Sequence, residues 1–525
     1  MPHYLAQGGS SLYFVTSAGT ATALTLPSGV TIDSTKRLRG AVVGNLVVLV
    51  GSPSENITVD RFGTVRRLCP RPPANALTLS AVAGGTLTGT YLVKSTYKVK
   101  DKYGNTLAES DFSPVSASQA VSTEWLKTTN IPLSAETIST RQLYRTVTGP
   151  GSAYFPWFEL DGNVLTAAQD DLADASLRLI AAPTDLGTPP KFENAIIWKD
   201  RVWGYTSVDL DTLYQGAQSK PYAFPSTRTI IVPPQSFDDR GITGLLARKD
   251  ELGVGKTSSF HKIAGTTHSN FTRSNVAETI GIWAQDSCVV IDDIGYFLGN
   301  PFGIYTWSPT GIQNISDAKV KAWFETDTYF NRARFSQTTA MYDPTTHSYI
   351  LQLSAAGSSS LDRWIQYHIP TKTWWGPHKT DAFTPTGSAT LRDSNDISIP
   401  VWLGSDGKLY KPQSTKTDGS ASAIDFDVTL NFLNADSPSI PKFWDQPQIV
   451  SKVQSSGILT VTPTLGGQDA SASLGIPHDM GLGTERLPRL GIGELCKIRL
   501  RQTINAEDAV VYGLELPFFE LGRRG

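Results

Sequence analysis

Asp293-Ile294-Gly295-Tyr296-Phe297-Leu298, a turn at Gly299-Asn300-Pro301, then Gly303-Ile304-Tyr305-Thr306-Trp307: this stretch decides the fold. A short apolar run, a turn made of residues that favour tight reversal, and a second run ending in aromatics spell an antiparallel hairpin. The same phrase recurs from Phe192 to about Pro412. Tyr342-Asp343-Pro344-Thr345-Thr346-His347-Ser348-Tyr349 repeats it, closed by Trp364-Ile365-Gln366-Tyr367-His368-Ile369 and Trp374-Trp375. Val401 to Tyr410 repeats it again, with Asp406-Gly407 expected as a primed hairpin turn. Hairpins recurring every few tens of residues mean a propeller or an array.

Composition agrees. The chain has 525 residues with 45 Gly and 32 Pro spread throughout, and no stretch sustains a helical period over three turns. An all-β protein is expected, and its length calls for about three domains. The formal net charge of -2 excludes a global basic field able to hold nucleic acid by counterion release, so any phosphate contact must be local. Cys69, Cys288 and Cys496 are odd in number and far apart, which argues against a disulfide framework and a zinc knuckle and fits synthesis in a reducing compartment. The opening Met1-Pro2-His3-Tyr4-Leu5 has no basic or apolar leader region, and no window approaches a membrane span, so neither a signal peptide nor a span is expected.

Four segments follow from the pattern. Residues 1–73 form a hairpin-rich unit, with Ser11 to Val15 as a strand and Val42 to Val50 as a hairpin around Gly44-Asn45, ending at Pro70 and Pro72-Pro73. Residues 74–185 alternate as short strands with turns between them, which suggests a small sandwich. Its order resembles a fibronectin type III module: Tyr91 to Val99, then Ser113-Pro114-Val115-Ser116, then the late strand Arg141 to Val147. Residues 191–415 carry the main hairpin series, and residues 424–525 read as a second sandwich. Because residues 1–73 share the hairpin grammar of the main series, the first sandwich is inserted into one propeller of about six blades. The fold class is therefore a β-propeller with an inserted fibronectin-III-like β-sandwich and a C-terminal β-sandwich.

Gly253-Val254-Gly255-Lys256-Thr257-Ser258 ends like a phosphate-binding loop, but Asp250 stands where the loop needs its first glycine, so a glycine-rich turn from Leu252 to Phe260 is the better reading. Asp170-Asp171 and Asp292-Asp293 are paired carboxylates, yet neighbours on a strand face opposite ways, and turn capping is expected of both. Seven scattered histidines lack metal-ligand spacing, and no nucleophile elbow is present. No catalytic residue, metal or cofactor is expected. Trp364, Trp374, Trp375, Tyr367, Trp283, Trp307 and Trp323 can stack sugars, but packing between blades is the favoured reading. Basic residues gather at Arg61, Arg66, Arg67 and Arg71 and at Arg486, Arg489, Lys497, Arg499 and Arg501, ending with Arg523-Arg524. Arg61, Arg66, Arg67, Arg486, Arg489, Arg499 and Arg501 are the candidates for subunit contacts or for DNA phosphates.

In order and cadence the whole chain resembles the tail nozzle and tail-tube proteins of short-tailed bacteriophages. The resemblance rests on Arg37-Leu38-Arg39-Gly40-Ala41-Val42-Val43, Leu143-Tyr144-Arg145-Thr146, Trp198-Lys199-Asp200-Arg201-Val202-Trp203, the Phe302 to Trp307 hairpin and Arg489-Leu490-Gly491-Ile492-Gly493. It implies a non-enzymatic virion tail protein made in the bacterial cytoplasm. It also implies a closed ring of this chain, a hexamer by resemblance, meeting portal or adaptor and tail fibre proteins and passing double-stranded DNA. The low net charge suits a wall that does not grip the genome. A glycan-binding or carbohydrate-active propeller is the alternative from another class.

Overall fold

The structure is a computed structural model that describes residues 3–16, 20–149, 153–177, 180–237, 239–317, 319–379, 383–392, 397–411, 426–430, 433, 440–451, 458–466, 476–479, 484–502 and 511–521. The pair Arg523-Arg524 lies outside the described residues. The chain is all-β, and it divides into two compact units: residues 1–378 with 387–400, and residues 379–386 with 401–525. The second unit takes in Lys379–Thr386 and is continuous from Val401.

In the first unit the hairpin grammar builds successive antiparallel meanders. Blade one runs through Leu38–Val43, Leu46–Gly51, Ile57–Asp60 and Val65–Arg67, and blade two through Asn194–Trp198, Arg201–Tyr205, Thr212–Gln215 and Thr229–Ile231. Gly244–Ala247, Glu251–Gly255, Phe260–Ala264 and Thr272–Ala277 make blade three. Blade four has Gly281–Ile282 and Val289–Ile291 both pairing with Ile294–Asn300, followed by Gly303–Ser308 and Gly311–Asn314. Blade five is Thr339–Asp343, Ser348–Leu353, Arg363–His368 and Thr373–Lys379. Three-stranded sheets precede and follow the series, from His3 to Ala23 and from Pro385 to Tyr410. Among the described residues, five sheets of the series have four or five strands.

Turn chemistry explains the reversals. Gly44 takes φ +56 in the two-residue loop between Val43 and Leu46, and Lys199 and Asp200 take φ 50 and 56 between Trp198 and Arg201. Asp292 and Asp293 do the same at φ 49 and 61, as hairpin twist demands. Asp406-Gly407 departs from the expectation. The flanking strands stop at Gly404 and resume at Leu409, so the turn is a four-residue loop closed by the Gly404 N–H donating to the Lys408 carbonyl at 2.9 Å.

Apolar side chains fill each gap between neighbouring sheets. Val48, Val50 and Leu68 of blade one meet Phe192, Ala195, Val202 and Phe224 of blade two. Trp198, Trp203 and Leu213 meet Leu245, Leu252, Val254 and Ile263 of blade three. Leu246 and Phe260 meet Phe297, Tyr305 and Trp307 of blade four, and Tyr296, Leu298 and Ile304 meet Tyr349, Leu351 and Ile365 of blade five. Gly253 is required here, because a Cβ at this position would lie 2.8 Å from the Trp307 ring. A buried aromatic of this size removes about 150–250 Å² from water, worth about 4–6 kcal/mol before entropy.

The inserted segment is a sandwich. One sheet orders Thr106–Glu109, Val93–Lys100, Thr140–Thr146 and Tyr154–Asp161, and the other Ala168–Asp170, Gln119–Thr129 and Thr78–Tyr91. Leu87, Tyr91, Val93, Val121, Leu126, Leu143 and Leu160 form its core. The run read as Tyr91 to Val99 is broken at Leu92, where one strand ends and the next begins. Serines every third residue finish one edge: Ser110, Ser113 and Ser116 accept the backbone N–H groups of Tyr97, Ser95 and Val93 on their hydroxyls at 2.9, 3.0 and 2.9 Å. Their own N–H groups donate back to the carbonyls of the same three residues.

The second unit packs the sheet containing Ile458–Gly466 and Leu495–Gln502 against Lys442–Trp444 and Gln448–Ser451. Its core is Trp444, Ile449, Leu459, Val461, Cys496, Ile498 and Leu500. Phe443 stands in register with Ile492 on one side and Phe519 on the other, and the last two are 58% and 61% exposed.

Candidate functional site

Leu38–Val43, Asn194–Trp198, Gly244–Ala247, Val289–Ile291 and Thr339–Asp343 lie side by side in that order, which brings the segments around them together. Arg37 and Arg39 sit two apart on the edge of blade one and so share a face. The Arg39 guanidinium donates Nε to Asp286 Oδ1 at 2.7 Å and Nη2 to Oδ2 at 3.0 Å, and its Nη1 reaches the Glu193 carbonyl at 3.1 Å. Arg37 donates Nη1 to Asp286 Oδ2 at 3.1 Å and Nη2 to the Gln337 carbonyl at 2.6 Å. Lys36 pairs with Glu193 at 3.0 Å, and Lys191 donates to the Gly51 carbonyl at 2.7 Å. Gly51 has φ +81, and a Cβ there would lie 2.8 Å from the Arg37 carbonyl, so the residue is dictated by this crossing.

Burial alone would raise the Asp286 carboxyl, but hydrogen bonds and charge from Arg39 and then Arg37 outweigh it and hold the group below the usual carboxylate range. Asp286 is therefore an ionised clasp with its lone pairs committed. It joins blade one to the entry of blade four, and Arg37 continues the link to the segment before blade five.

A second polar chain lies inside blade three. The Arg273 guanidinium faces His261 Nδ1 at 3.2 Å, His261 Nε2 meets Ser259 Oγ at 3.1 Å, and Ser259 Oγ donates to Asp239 Oδ2 at 2.6 Å. Arg273 offers only donors, so Nδ1 is the acceptor and the imidazole proton sits on Nε2. Burial, then the charge of Arg273, pushes His261 down to about 4. The hydroxyl stands between acid and imidazole and both Ser259 and His261 are fully buried, so this is not the geometry of an activated nucleophile. Lys256 of the phosphate-loop-like stretch is also buried, donating to Asp211 and, at 3.1 Å, to the Val232 carbonyl. Glu251–Gly255 is a strand rather than the start of the expected turn, which occupies the residues after it.

Both pairs of carboxylates include a turn cap: the Asp170 Oδ1 accepts the Leu172 N–H two residues on at 2.8 Å. Asp292 and Asp293 make a turn, with Asp293 accepting from Lys249 N at 2.7 Å and from Arg248. Asp170 is in addition buried at the end of a strand and pairs with Arg145 at 2.5 Å. Among the described residues no group of three or more His, Cys, Asp or Glu is placed to hold a metal ion.

The basic candidates have different fates. Arg61 is exposed at a turn over the Phe62 ring, and Arg66 pairs with Asp60 at 2.9 Å. Arg67 is buried, paired with Glu55 at 2.5 Å and Glu136 at 3.3 Å. In the second unit Arg489 pairs with Asp445 at 3.0 Å, while Arg486, Arg499 and Arg501 are exposed, the last two on one face of a strand. Sequence reading missed Asp286 altogether, and the spacing of Arg37 and Arg39 was its one local signal.

The aromatics are mostly structural. Trp307 is 1% exposed, Tyr367 is buried, and Trp283, Trp323 and Trp374 pack on the core between blades four and five. Trp375 differs, with 58% of its surface exposed, and Trp364 stacks on His378 at 4.1 Å between ring centroids.

No family model and no curated protein matches the chain. Solved structures with some likeness include PorZ, a bacterial surface component of the type-IX secretion system of Porphyromonas gingivalis, at 9% identity over 99% of this chain and 80% of that one, with a TM-score of 0.27. An exo-beta-1,3-galactanase from Phanerochaete chrysosporium is similar at 8% identity over 99% and 100%, with a TM-score of 0.20. A Trypanosoma rangeli sialidase follows at 10% over 99% and 87%, with a TM-score of 0.22. Likeness of this size carries no argument about function.

Proposed function

We propose that this chain is a structural protein of a virion tail, the nozzle or tube of a short-tailed bacteriophage. In this reading identical copies close into a ring, a hexamer by resemblance, that meets portal or adaptor and tail fibre proteins and lets double-stranded DNA pass. The observation that carries the reading is the use made of the large aromatics and the central charges. Trp203, Trp307 and Tyr349 are buried between sheets, and the Arg37, Arg39 and Asp286 side chains bind blade to blade. That is the arrangement of a stiff scaffold. The outward row of Ile492, Phe443 and Phe519 supports assembly, since exposed apolar rows mark interaction surfaces. Imaging the purified chain tests the reading: a ring of identical copies supports it, and a solitary particle opposes it.

A second reading is a glycan-binding propeller, favoured by one observation, the exposed indole of Trp375. Loss of sugar binding in Trp375→Ala without loss of folding would establish it.

A further inference from the structure

Lys94 lies on Val93–Lys100 of the inserted sandwich, opposite Tyr144. Its Nζ stands 3.3 Å from the centroid of the Phe112 ring and 4.2 Å from that of Tyr154. Two aromatic faces attract the cation but offer it no lone pair. An ammonium carries three N–H donors, and among the described residues none of those on Lys94 meets an acceptor. Asp111 acts on it only through space, its Oδ1 already accepting the Phe112 N–H at 2.7 Å. The side chain is half-buried, but its ammonium is not among the buried polar atoms cut off from solvent, so a ligand entering from solvent can reach it.

Beside this ammonium opens a cleft of about 370 Å³, whose walls include Ala153, Ala181, Ala182, Pro183 and Leu186. That volume lies within the range of about 300–1,000 Å³ usual for small-molecule sites. We propose that the cleft binds a small monocarboxylate with a short apolar body, its carboxylate on the Lys94 ammonium and its body against the alanine and proline wall. The Asp111 carboxylate lines the same cleft and repels a dianion about twice as strongly as a monoanion, which selects against phosphate. A free organic acid and the C-terminal carboxylate of a short peptide share this chemistry.

Calorimetric titration of the full chain with 3-phenylpropionate, acetyl-Ala-Ala and inorganic phosphate tests the site. The expected result is saturable binding of one of the two carboxylates, weakened at least tenfold by Lys94→Met, with phosphate weaker than either. The tighter carboxylate identifies the source. Absence of saturable carboxylate binding, equal binding by a folded Lys94→Met, or tighter binding of phosphate would overturn the proposal. If Lys94→Met does not fold, labelling of the unmodified chain by trinitrobenzenesulfonate decides: 3-phenylpropionate or acetyl-Ala-Ala should protect Lys94, and undiminished labelling at saturating concentrations of both would refute the site.

Discussion

Arg39 and Asp286 stand 247 positions apart in sequence, and the guanidinium of one clasps the carboxylate of the other through two N–H donors at 2.7 and 3.0 Å. The two side chains are 24% and 17% exposed, so solvent screens the pair only in part. Removing one partner strands the other. Asp286→Ala is expected to destabilise the first unit by about 3–5 kcal/mol, read as a lower denaturation midpoint. Arg39→Lys should recover little, because a single ammonium cannot reproduce the fork. An Asp286→Ala midpoint equal to the parent's would remove the clasp from the account.

His261 gives the pH dependence. Its folded value of about 4 lies below the ordinary 6.5, so the unfolded chain takes up the proton first as pH falls. Its contribution is complete above about 6.5, declines below it and is lost as pH drops through about 4. A proton on Nδ1 would also face the Arg273 donor, with Lys256 adding like charge and Asp239 opposing it. Denaturation midpoints measured from pH 7 to 4 should fall, and His261→Asn should flatten the slope. An unchanged slope in that variant would assign the acid sensitivity elsewhere.

Ser113 supplies the hydroxyl that meets the Ser95 N–H at 3.0 Å inside the sandwich. In Ser113→Ala that buried N–H has no hydroxyl partner, at a cost of about 1–3 kcal/mol. Hydrogen exchange at the Ser95 amide should quicken in the variant. Undiminished protection there would show that the serine edge is dispensable.

Trp307 and Trp375 separate packing from surface. Trp307→Ala is expected to cost about 3–5 kcal/mol, since the ring fills the gap between blades three and four. Trp375→Ala should change stability by no more than about 0.5 kcal/mol. A large loss at Trp375 would mean that its exposed ring is covered by something that stabilises the protein.

Much of the hairpin series was legible because turn chemistry is local: Gly44 and the Asp292-Asp293 pair sit where the pattern placed them. The strand Thr78–Tyr91 went unread before Tyr91, because Gly84, Gly85 and Gly89 carry no strand propensity; they lie in an irregular pairing whose register shifts between Ser122 and Glu124. Arg67 looked like a surface cation among its basic neighbours, but the acids that bury its charge, Glu55 and Glu136, come from separate segments. For the same reason the clasp was invisible: its partners meet only when the blades are assembled. The Lys94 cleft was hidden too, since Phe112 and Tyr154 reach the ammonium from different strands and loops.

Native mass spectrometry of the purified full chain tests the central claim most directly. The account predicts a discrete closed assembly of identical 56.9 kDa copies that persists on dilution. A monomer at all concentrations, joined by binding to immobilised glycans that depends on Trp375, would contradict it.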